Sequence, residues 1–216
     1  MKASHSELET EVKFHLPDPA GTRAAILELG AESQGRVFER NLCFDTPDAR
    51  LEGGDRLLRL RRDRGVRLTY KAPPQAPPSG DGRGDPSQGE VKVYREIELE
   101  LSSWTAMAAI LAELGFREAR RYEKWRETFV QEEAHLCLDE MPFGHFLEIE
   151  GPPATIRSLA AHLGLAWKER ILADYLAIFE AVRHAATGVA VGPDPTFAAC
   201  TGLRPSAEVW ARLRAG

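Results

Sequence analysis

Residues 7–14 have the sequence Glu-Leu-Glu-Thr-Glu-Val-Lys-Phe, and this stretch sets the pattern from which the fold is predicted. Its charged residues fall at every second position: Glu7, Glu9, Glu11 and Lys13. Because side chains alternate between the two faces of a strand, the stretch predicts a β-strand with one charged and one mainly apolar face. The same alternation recurs in Leu58–Arg61, Arg67–Lys71, Glu96–Leu101, Arg120–Arg126 and Phe146–Glu150.

Helical patterns lie between and after these strands. Four helices are predicted, at Pro17–Leu29, Ser103–Leu114, Pro152–Leu163 and Lys168–Val182. Ser103 is a favoured N-cap residue, and a glycine directly follows the end of each of the first three helices. Long strand runs interrupted by a few helices predict an α+β domain built on an antiparallel sheet.

Two segments fall outside this pattern. Ala72–Gly89 is rich in Pro, Gly, Ser and Asp, which predicts a long loop between two strands. The composition changes again at Thr187, and a short helix is expected at Ser206–Leu213. We therefore expect a main domain of residues 1–186 and a C-terminal extension of residues 187–216.

Composition excludes several classes of protein. With 216 residues, 43% of them hydrophobic and 28% charged, the chain can bury a sizeable core. The net charge of −5 and the pI of about 5.8 give no bias toward nucleic acid, and no apolar run approaches the length of a membrane span. The start of the chain lacks the apolar stretch of a secretory signal, and three isolated cysteines argue against a disulfide framework. We expect a cytoplasmic protein without a nucleic-acid or membrane partner.

The charged strand faces allow two interpretations. One is a solvated sheet surface with ion pairs between strands, which is the usual setting of such charges. The other is a barrel whose charged faces line the interior, with helices covering the apolar outer faces. A charged interior requires matching ions, because an unpaired buried charge is costly. Its basic faces would need a polyanion, and its acidic faces would need divalent cations.

An ordered set of motifs favours the second interpretation. The set begins with Glu9-Thr-Glu11-Val-Lys13, an ExExK pattern that on its own is weak evidence. It continues with Phe44-Asp45-Thr46-Pro47, Leu58-Arg59-Leu60-Arg61, Leu68-Thr69-Tyr70-Lys71, Arg95–Glu100, Glu123-Lys124-Trp125-Arg126, Leu138-Asp139 and Gly144–Glu150. In this order, the motifs resemble the CYTH domain, or triphosphate tunnel metalloenzyme, superfamily from about Glu7 to Phe179.

The resemblance implies a fold, a ligand and a set of activities. It implies an α+β fold in which an eight-stranded antiparallel β-barrel forms a tunnel, with helices packed on the outside. Members bind a triphosphate together with Mg²⁺ or Mn²⁺. Their activities include inorganic triphosphatase, thiamine triphosphatase, RNA triphosphatase and class IV adenylate cyclase. The expected partner is a triphosphate-containing small molecule such as inorganic triphosphate or ATP, and the expected assembly is a monomer or a homodimer.

The resemblance also selects candidate basic residues. The predicted substrate-binding residues are Lys13, Arg59, Arg61, Lys71, Lys124 and Arg126. Arginine suits bidentate recognition of phosphate, and lysine provides a compact point charge. Lys13 is also predicted to take part in catalysis by stabilising the transition state electrostatically.

The candidate acidic residues have two predicted roles. The predicted metal ligands are Glu9, Glu11, Asp139, Glu148 and Glu150. Magnesium prefers oxygen ligands and often shares them with substrate phosphates. The attacking water is expected to be activated by a second metal ion or by a carboxylate such as Glu11 or Glu98, although Glu98 could instead bind or orient a basic neighbour.

The sequence leaves the reaction itself open. Several eukaryotic family members carry a lysine on the C-terminal helix that points into the tunnel, whereas this chain offers Tyr175 or Asp174 in the comparable stretch. The leading hypothesis is a divalent-metal-dependent phosphohydrolase acting on inorganic triphosphate or an organic triphosphate. The alternatives are a class IV adenylate cyclase and a non-catalytic module that captures polyphosphate or a nucleotide.

Overall fold

The alternating segments form strands in a computed structural model, which describes residues 7–74, 90–186 and 191–214. Each segment predicted from the alternation lies inside one of eight strands in these ranges. The strands are β1 (Glu7–His15), β2 (Glu32–Asp45), β3 (Leu57–Arg62), β4 (Val66–Ala72), β5 (Lys92–Leu101), β6 (Arg117–Gln131), β7 (Ala134–Met141) and β8 (Gly144–Glu150).

The strands pair into an antiparallel barrel, which closes in the order β1-β5-β4-β3-β2-β6-β7-β8. Register decides which side chains meet across neighbouring strands. Glu11 lies opposite Glu150 in the β1–β8 pair, and Arg59 lies opposite Thr69 in the β3–β4 pair. A shift of one residue would exchange the charged and apolar faces. The predicted fold class, an α+β eight-stranded antiparallel barrel with helices on the outside, is confirmed.

The described part of the chain includes five α-helices. They are α1 (Pro19–Glu28), α2 (Trp104–Glu113), α3 (Pro153–His162), α4 (Tyr175–Ala185) and α5 (Ala207–Leu213). The predicted cap of α2 is confirmed, since the Ser103 hydroxyl accepts a hydrogen bond from the Ala106 N–H at 3.2 Å. Gly115 follows α2 at φ +89°, a left-handed conformation that glycine adopts without a steric penalty.

The prediction for the fourth helix is wrong over its first part. Instead of starting at Lys168, the chain forms a short 3₁₀ turn at Trp167–Glu169 and then an isolated β-bridge. In this bridge Ile171 exchanges two backbone hydrogen bonds with Lys13, at 2.7 and 3.1 Å. This exchange requires extended backbone at Ile171, so α4 begins only at Tyr175.

The described residues divide into two compact units. The first comprises residues 7–9, 39–74 and 93–122, and the second comprises residues 10–38, 90–92, 123–186 and 191–214. In the first unit, Leu111 of α2 packs against the apolar face of β2 and β3 through Leu42, Phe44, Leu58 and Leu60. In the second unit, Phe146 of β8 makes edge contacts with the rings of Phe143, Tyr175 and Trp210.

Parts of the predicted loop and extension lie outside the described residues, namely 75–89 and 187–190. The short helix predicted at Ser206–Leu213 is confirmed as α5. Trp210 of α5 stacks on His15 of β1 with ring centroids 4.0 Å apart. The division at residue 186 stays a prediction. No helix in the described ranges combines the length and hydropathy required of a membrane span.

The stacked His15 provides a test of this packing. Burial, together with the charges of His145 and Arg214, lowers the pKa of His15 from 6.5 to about 4. The unfolded chain therefore binds a proton at a higher pH than the folded protein does. The contribution of His15 to stability is fully present above its ordinary pKa and is lost as the pH falls toward 4.

We expect His15→Gln to flatten the dependence of the unfolding free energy on pH between about 6.5 and 4. Urea unfolding at a series of pH values measures this slope. His135→Gln removes an exposed histidine instead and serves as the control. An unchanged slope in His15→Gln would contradict the assignment.

Candidate functional site

More than half of the predicted site residues are buried. Of the twelve predicted site residues, seven are at least nine-tenths buried, namely Glu11, Lys13, Arg59, Arg61, Lys124, Asp139 and Glu148. The other five are half-buried: Glu9, Lys71, Glu98, Arg126 and Glu150. The interpretation of a solvated sheet surface is therefore wrong for the seven buried residues, and their charges need partners inside the protein.

Arg59 lies in the first unit and has neutral hydrogen-bond partners. Its Nη1 donates to the Tyr122 hydroxyl at 3.1 Å, and its Nη2 donates to Thr69 Oγ1 at 3.4 Å. Among the described residues, no carboxylate forms an ion pair with this guanidinium, and its buried Nε has no hydrogen-bond partner. Burial opposes the charged form, but the influence of Tyr122, Glu96 and Glu39 raises the pKa of Arg59 above its ordinary value. Arg59 is therefore a charged group with unused donor capacity.

Arg61 lies two residues further along the same face of β3. Its Nε donates to Asn41 Oδ1 at 2.8 Å, and its Nη2 lies 3.2 Å from Glu39 Oε2. Both partners lie on β2, where they also alternate. Arg61 is thus compensated by a buried carboxylate, in contrast to Arg59.

Lys71 and Glu98 lie on β4 and β5 of the first unit. The Lys71 ammonium forms an ion pair with Glu9 and another with Glu96, whose Oε2 is 2.7 Å away. Burial and the charge of Glu96 raise the pKa of Glu9 in spite of the opposing effect of Lys71. Glu98 Oε2 accepts a hydrogen bond from the Thr69 hydroxyl at 2.7 Å.

Lys13 lies in the second unit between two carboxylates. It forms an ion pair with Glu11, and its Nζ is 2.8 Å from Glu148 Oε2. Burial alone would lower the pKa of Lys13, but the two carboxylates raise it above its ordinary value. Burial would likewise raise the pKa of Glu148, but Lys13, Arg126 and Lys124 hold it well below its usual range. Both groups are charged at neutral pH.

Asp139 joins the remaining basic residues of the second unit. Arg126 binds it in a bidentate arrangement, with Nε 2.7 Å from Oδ1 and Nη2 2.6 Å from Oδ2. Lys124 Nζ lies 3.0 Å from the same Oδ2. Arg126 also reaches Glu148 Oε1 at 2.7 Å and approaches Glu150 Oε1 at 3.6 Å. Asp139 therefore holds two of the predicted substrate-binding cations side by side.

Tyr175, the first residue of α4, completes this group. Its hydroxyl donates to Asp139 Oδ2 at 2.7 Å, and its ring lies 5.3 Å from Lys13 Nζ and 5.1 Å from Lys124 Nζ. Burial and the charge of Asp139 raise the pKa of Tyr175 well above its ordinary value, so the hydroxyl remains a donor. Asp174 has a different role, since its side chain accepts from the Ala177 N–H at 2.8 Å and caps α4.

Three carboxylates form an acidic group of a kind that could hold a metal ion. Glu9 and Glu11 lie two residues apart on β1, and Glu150 lies opposite Glu11 on β8. Their carboxylate oxygens are the donors that Mg²⁺ and Mn²⁺ prefer. Burial is the main cause of the raised pKa of Glu9, and a cation at this carboxylate would favour its charged form. The residues present therefore fit a divalent cation.

The sequence-based predictions did not include the neutral partners of the basic residues. Thr69 lies between Arg67 and Lys71 in the β4 alternation, and Tyr122 lies between Arg120 and Lys124 in the β6 alternation. Extending the charged-face pattern to hydroxyl side chains would have selected both. The alternation of charged and apolar residues is less clear around Glu39 and Asn41, because charged Arg40 lies between them.

Known proteins resemble this chain in sequence and in fold. A family model described as the CYTH domain matches residues 7–162. A "Putative adenylate cyclase" of Methanocaldococcus jannaschii is 25% identical over 81% of this chain and 89% of its own length. A solved Pyrococcus horikoshii structure is 25% identical with a TM-score of 0.63, covering 80% of this chain and 98% of that one.

Two further solved structures share the fold. A Vibrio parahaemolyticus "putative adenylate cyclase" is 18% identical with a TM-score of 0.68, covering 82% of this chain and 99% of that one. A Hippeastrum "putative adenylyl cyclase", described as having a dominant triphosphatase activity, is 20% identical with a TM-score of 0.52. The match covers 80% of this chain and 95% of the Hippeastrum chain.

The contact between Tyr175 and Asp139 can be tested through stability. We expect Tyr175→Phe to lower the unfolding free energy by about 1.5–3 kcal/mol, because Asp139 loses a buried hydrogen bond to a charged acceptor. Tyr70→Phe is the matched control, since Tyr70 is half-buried and packs against the apolar cluster around Leu111 of α2. Chemical denaturation measures both variants, and an equally small effect for the two would contradict the importance of this bond.

Proposed function

Because the chain belongs to the CYTH domain family, we propose that it is a divalent-metal-dependent triphosphatase. In this proposal it binds a triphosphate inside the charged barrel and hydrolyses inorganic triphosphate or a nucleoside or other organic triphosphate. The single observation that carries the proposal is Arg59, a buried cation with an unused Nε–H and no carboxylate ion pair among the described residues. An anionic ligand would supply the missing counter-charge.

The other basic residues would extend this anion site. We propose that Arg61 and Lys71 act with Arg59, and that Lys13, Lys124 and Arg126 bind further phosphate oxygens. A triphosphate carries several negative charges, so convergent cations are needed to stabilise it and its transition state. Asp139 and Tyr175 would keep Lys124 and Arg126 in position, because their side chains are already bound to one another.

The acidic group would provide the metal site. We propose that Glu9, Glu11 and Glu150 hold Mg²⁺ or Mn²⁺, whose chemistry at such a site is to neutralise phosphate charge. The prediction that Asp139 and Glu148 also bind metal stays a prediction. In this structure their carboxylate oxygens accept hydrogen bonds from Lys124, Arg126 and Lys13. Asp139 and Glu148 are therefore also suited to position these basic side chains.

The reaction would be the transfer of a terminal phosphoryl group to water. The water oxygen forms a bond to the terminal phosphorus, and the bond from that phosphorus to the bridging oxygen breaks. The products are inorganic phosphate and the remaining diphosphate. Glu11 and Glu98 are the carboxylates proposed to orient the water, and Lys13 would stabilise the developing charge. Phosphoryl transfer depends mainly on such positioning.

A second candidate activity is cyclisation of ATP. The name of the Methanocaldococcus jannaschii relative favours this candidate. In this reaction the 3′-hydroxyl of ATP attacks the α-phosphorus and pyrophosphate leaves. The same cations and carboxylates would serve, so the two reactions differ in the nucleophile and in how the nucleoside is held. A third candidate, a binding module without turnover, would require the charged residues but would release no product.

Arg59 can be tested by removing its charge. We expect Arg59→Met to raise the dissociation constant for inorganic triphosphate at least about ten-fold, because one charged hydrogen bond is worth about 1.5–3 kcal/mol. Calorimetric titration measures this constant, and Arg62→Met, which removes an exposed arginine from the same strand, is the control.

The stability of Arg59→Met distinguishes lost binding from misfolding. Removing a buried charge that lacks a carboxylate partner should leave the unfolding free energy unchanged or higher. Unchanged triphosphate affinity in a folded Arg59→Met variant would argue against the proposed site.

The reaction class can be tested by product analysis. We expect wild-type protein with Mg²⁺ or Mn²⁺ to release phosphate from inorganic triphosphate or ATP, and Glu148→Gln to lose most of this activity because Lys13 and Arg126 lose a shared partner. Cyclic AMP with pyrophosphate as the products from ATP would instead favour the cyclase. Triphosphate binding without any product in either protein would favour the binding module.

A further inference from the structure

Trp210 of α5 is buried against the strands that carry the charged residues of the second unit. Its ring stacks on His15 with centroids 4.0 Å apart and meets the Phe146 ring edge-on at 5.7 Å. Only 7% of Trp210 is exposed, and Phe146 is fully buried. Trp210 lies beyond the matched residues 7–162, so membership of the family does not account for this contact.

The two rings under Trp210 continue the strand faces that bear the charges. On β1, His15 lies two positions after Lys13, and alternation puts both side chains on one face. On β8, Phe146 and Glu148 share a face for the same reason. Lys13 lies opposite Glu148 in the register of the two strands. His15 lies opposite Phe146, so an aromatic pair covered by Trp210 directly follows the charged pair.

Phe146 connects Trp210 to Asp139. Its ring meets the Tyr175 ring edge-on at 5.3 Å, and it lies opposite Asp139 in the register of β7 and β8. The Tyr175 hydroxyl donates to Asp139 Oδ2 at 2.7 Å, the oxygen that Lys124 also contacts. Two ring contacts and one hydrogen bond therefore link Trp210 to the carboxylate that holds the basic side chains of this unit.

Close packing makes this link sensitive to the Trp210 ring. Protein interiors are as dense as organic crystals, so a buried ring keeps its place because its neighbours fill the space around it. Without the Trp210 ring, Phe146 gains room to move and no longer fixes the Tyr175 ring. The Tyr175 hydroxyl and the Asp139 carboxylate then lose their fixed geometry. A misplacement of about 1 Å in a positioned group costs up to about 100-fold in rate.

We propose that Trp210 is a positioning residue of the proposed triphosphatase. It acts through the Phe146 and Tyr175 rings on Asp139, and so fixes the cations that Asp139 binds. This inference rests on the proposed function and adds one residue of the C-terminal segment to the residues that reaction needs. The competing explanation is that Trp210 contributes to stability alone. The two explanations differ in whether activity falls in a protein that stays folded.

The test measures phosphate release from inorganic triphosphate or ATP with Mn²⁺, and urea unfolding reports whether each variant is folded. We expect Trp210→Leu, which removes the ring but keeps an apolar side chain, to lower kcat/KM at least about ten-fold in folded protein. Trp210→Phe provides a ring again and should keep most of the activity. Val209→Ala, the matched control, removes buried atoms from the same helix but no ring. It should lower stability and leave kcat/KM unchanged.

A double variant tests the route from Trp210 to Asp139. If Trp210 acts through the Tyr175 hydroxyl, its ring matters little once that hydroxyl is gone. In a Tyr175→Phe background, Trp210→Leu should therefore lower kcat/KM by less than about three-fold. His15→Gln removes the other stacked ring at a half-buried position and should lower kcat/KM in the same direction. This variant decides the question if Trp210→Leu does not fold, and an unchanged kcat/KM would then reject the inference.

The outcomes separate the inference from the proposed function. If wild type releases phosphate but Trp210→Leu loses no more kcat/KM than Val209→Ala, the inference is wrong and the proposed function stands. A full ten-fold effect of Trp210→Leu in the Tyr175→Phe background, or an equally inactive Trp210→Phe, would also overturn the inference. If wild type releases no phosphate from either substrate, the proposed function fails and the inference fails with it.

Discussion

The structure depends on the compensation of charge that is shielded from water. Seven charged side chains of the predicted site are buried on strands whose alternate positions are apolar. Closure of the sheet gives these side chains an enclosed setting, and pairing between neighbouring positions makes that setting tolerable. Asp139 illustrates the balance, since it is fully buried and is bound by Lys124, Arg126 and Tyr175.

Strand alternation predicted the faces well but could not predict the partners. The spacing of Glu9, Glu11 and Lys13 is enough to place all three on one face of β1. That Lys71 contacts Glu9, or that Tyr175 reaches Asp139, depends on the order and register of strands far apart in sequence. The fourth helix was misjudged for a related reason, because the backbone of Ile171 pairs with Lys13, which is 158 residues away in the chain. Local propensity contains no information about such a contact.

The same physics explains why the fold does not decide the reaction. Every charged residue of the candidate site is suited either to phosphate oxygens or to a divalent cation, and both are needed for hydrolysis and for cyclisation. Hydrolysis and cyclisation differ in the nucleophile that attacks phosphorus and in the position at which a nucleoside would be bound. Relatives of this fold carry names of both kinds, including a cyclase name and a dominant triphosphatase activity. Chemistry common to two reactions cannot discriminate between them.

The cations of the candidate site differ in the partners that hold them. Arg59 is held by the neutral hydroxyls of Tyr122 and Thr69, so an arriving anion meets no competing carboxylate there. Lys13 and Lys71 are held by carboxylates, with which an arriving anion would have to compete. Arg61 and Arg126 resemble the lysines in this respect, because their guanidinium groups are also paired with carboxylates. The partners of each cation, rather than its residue type, therefore determine how directly an anion could reach it.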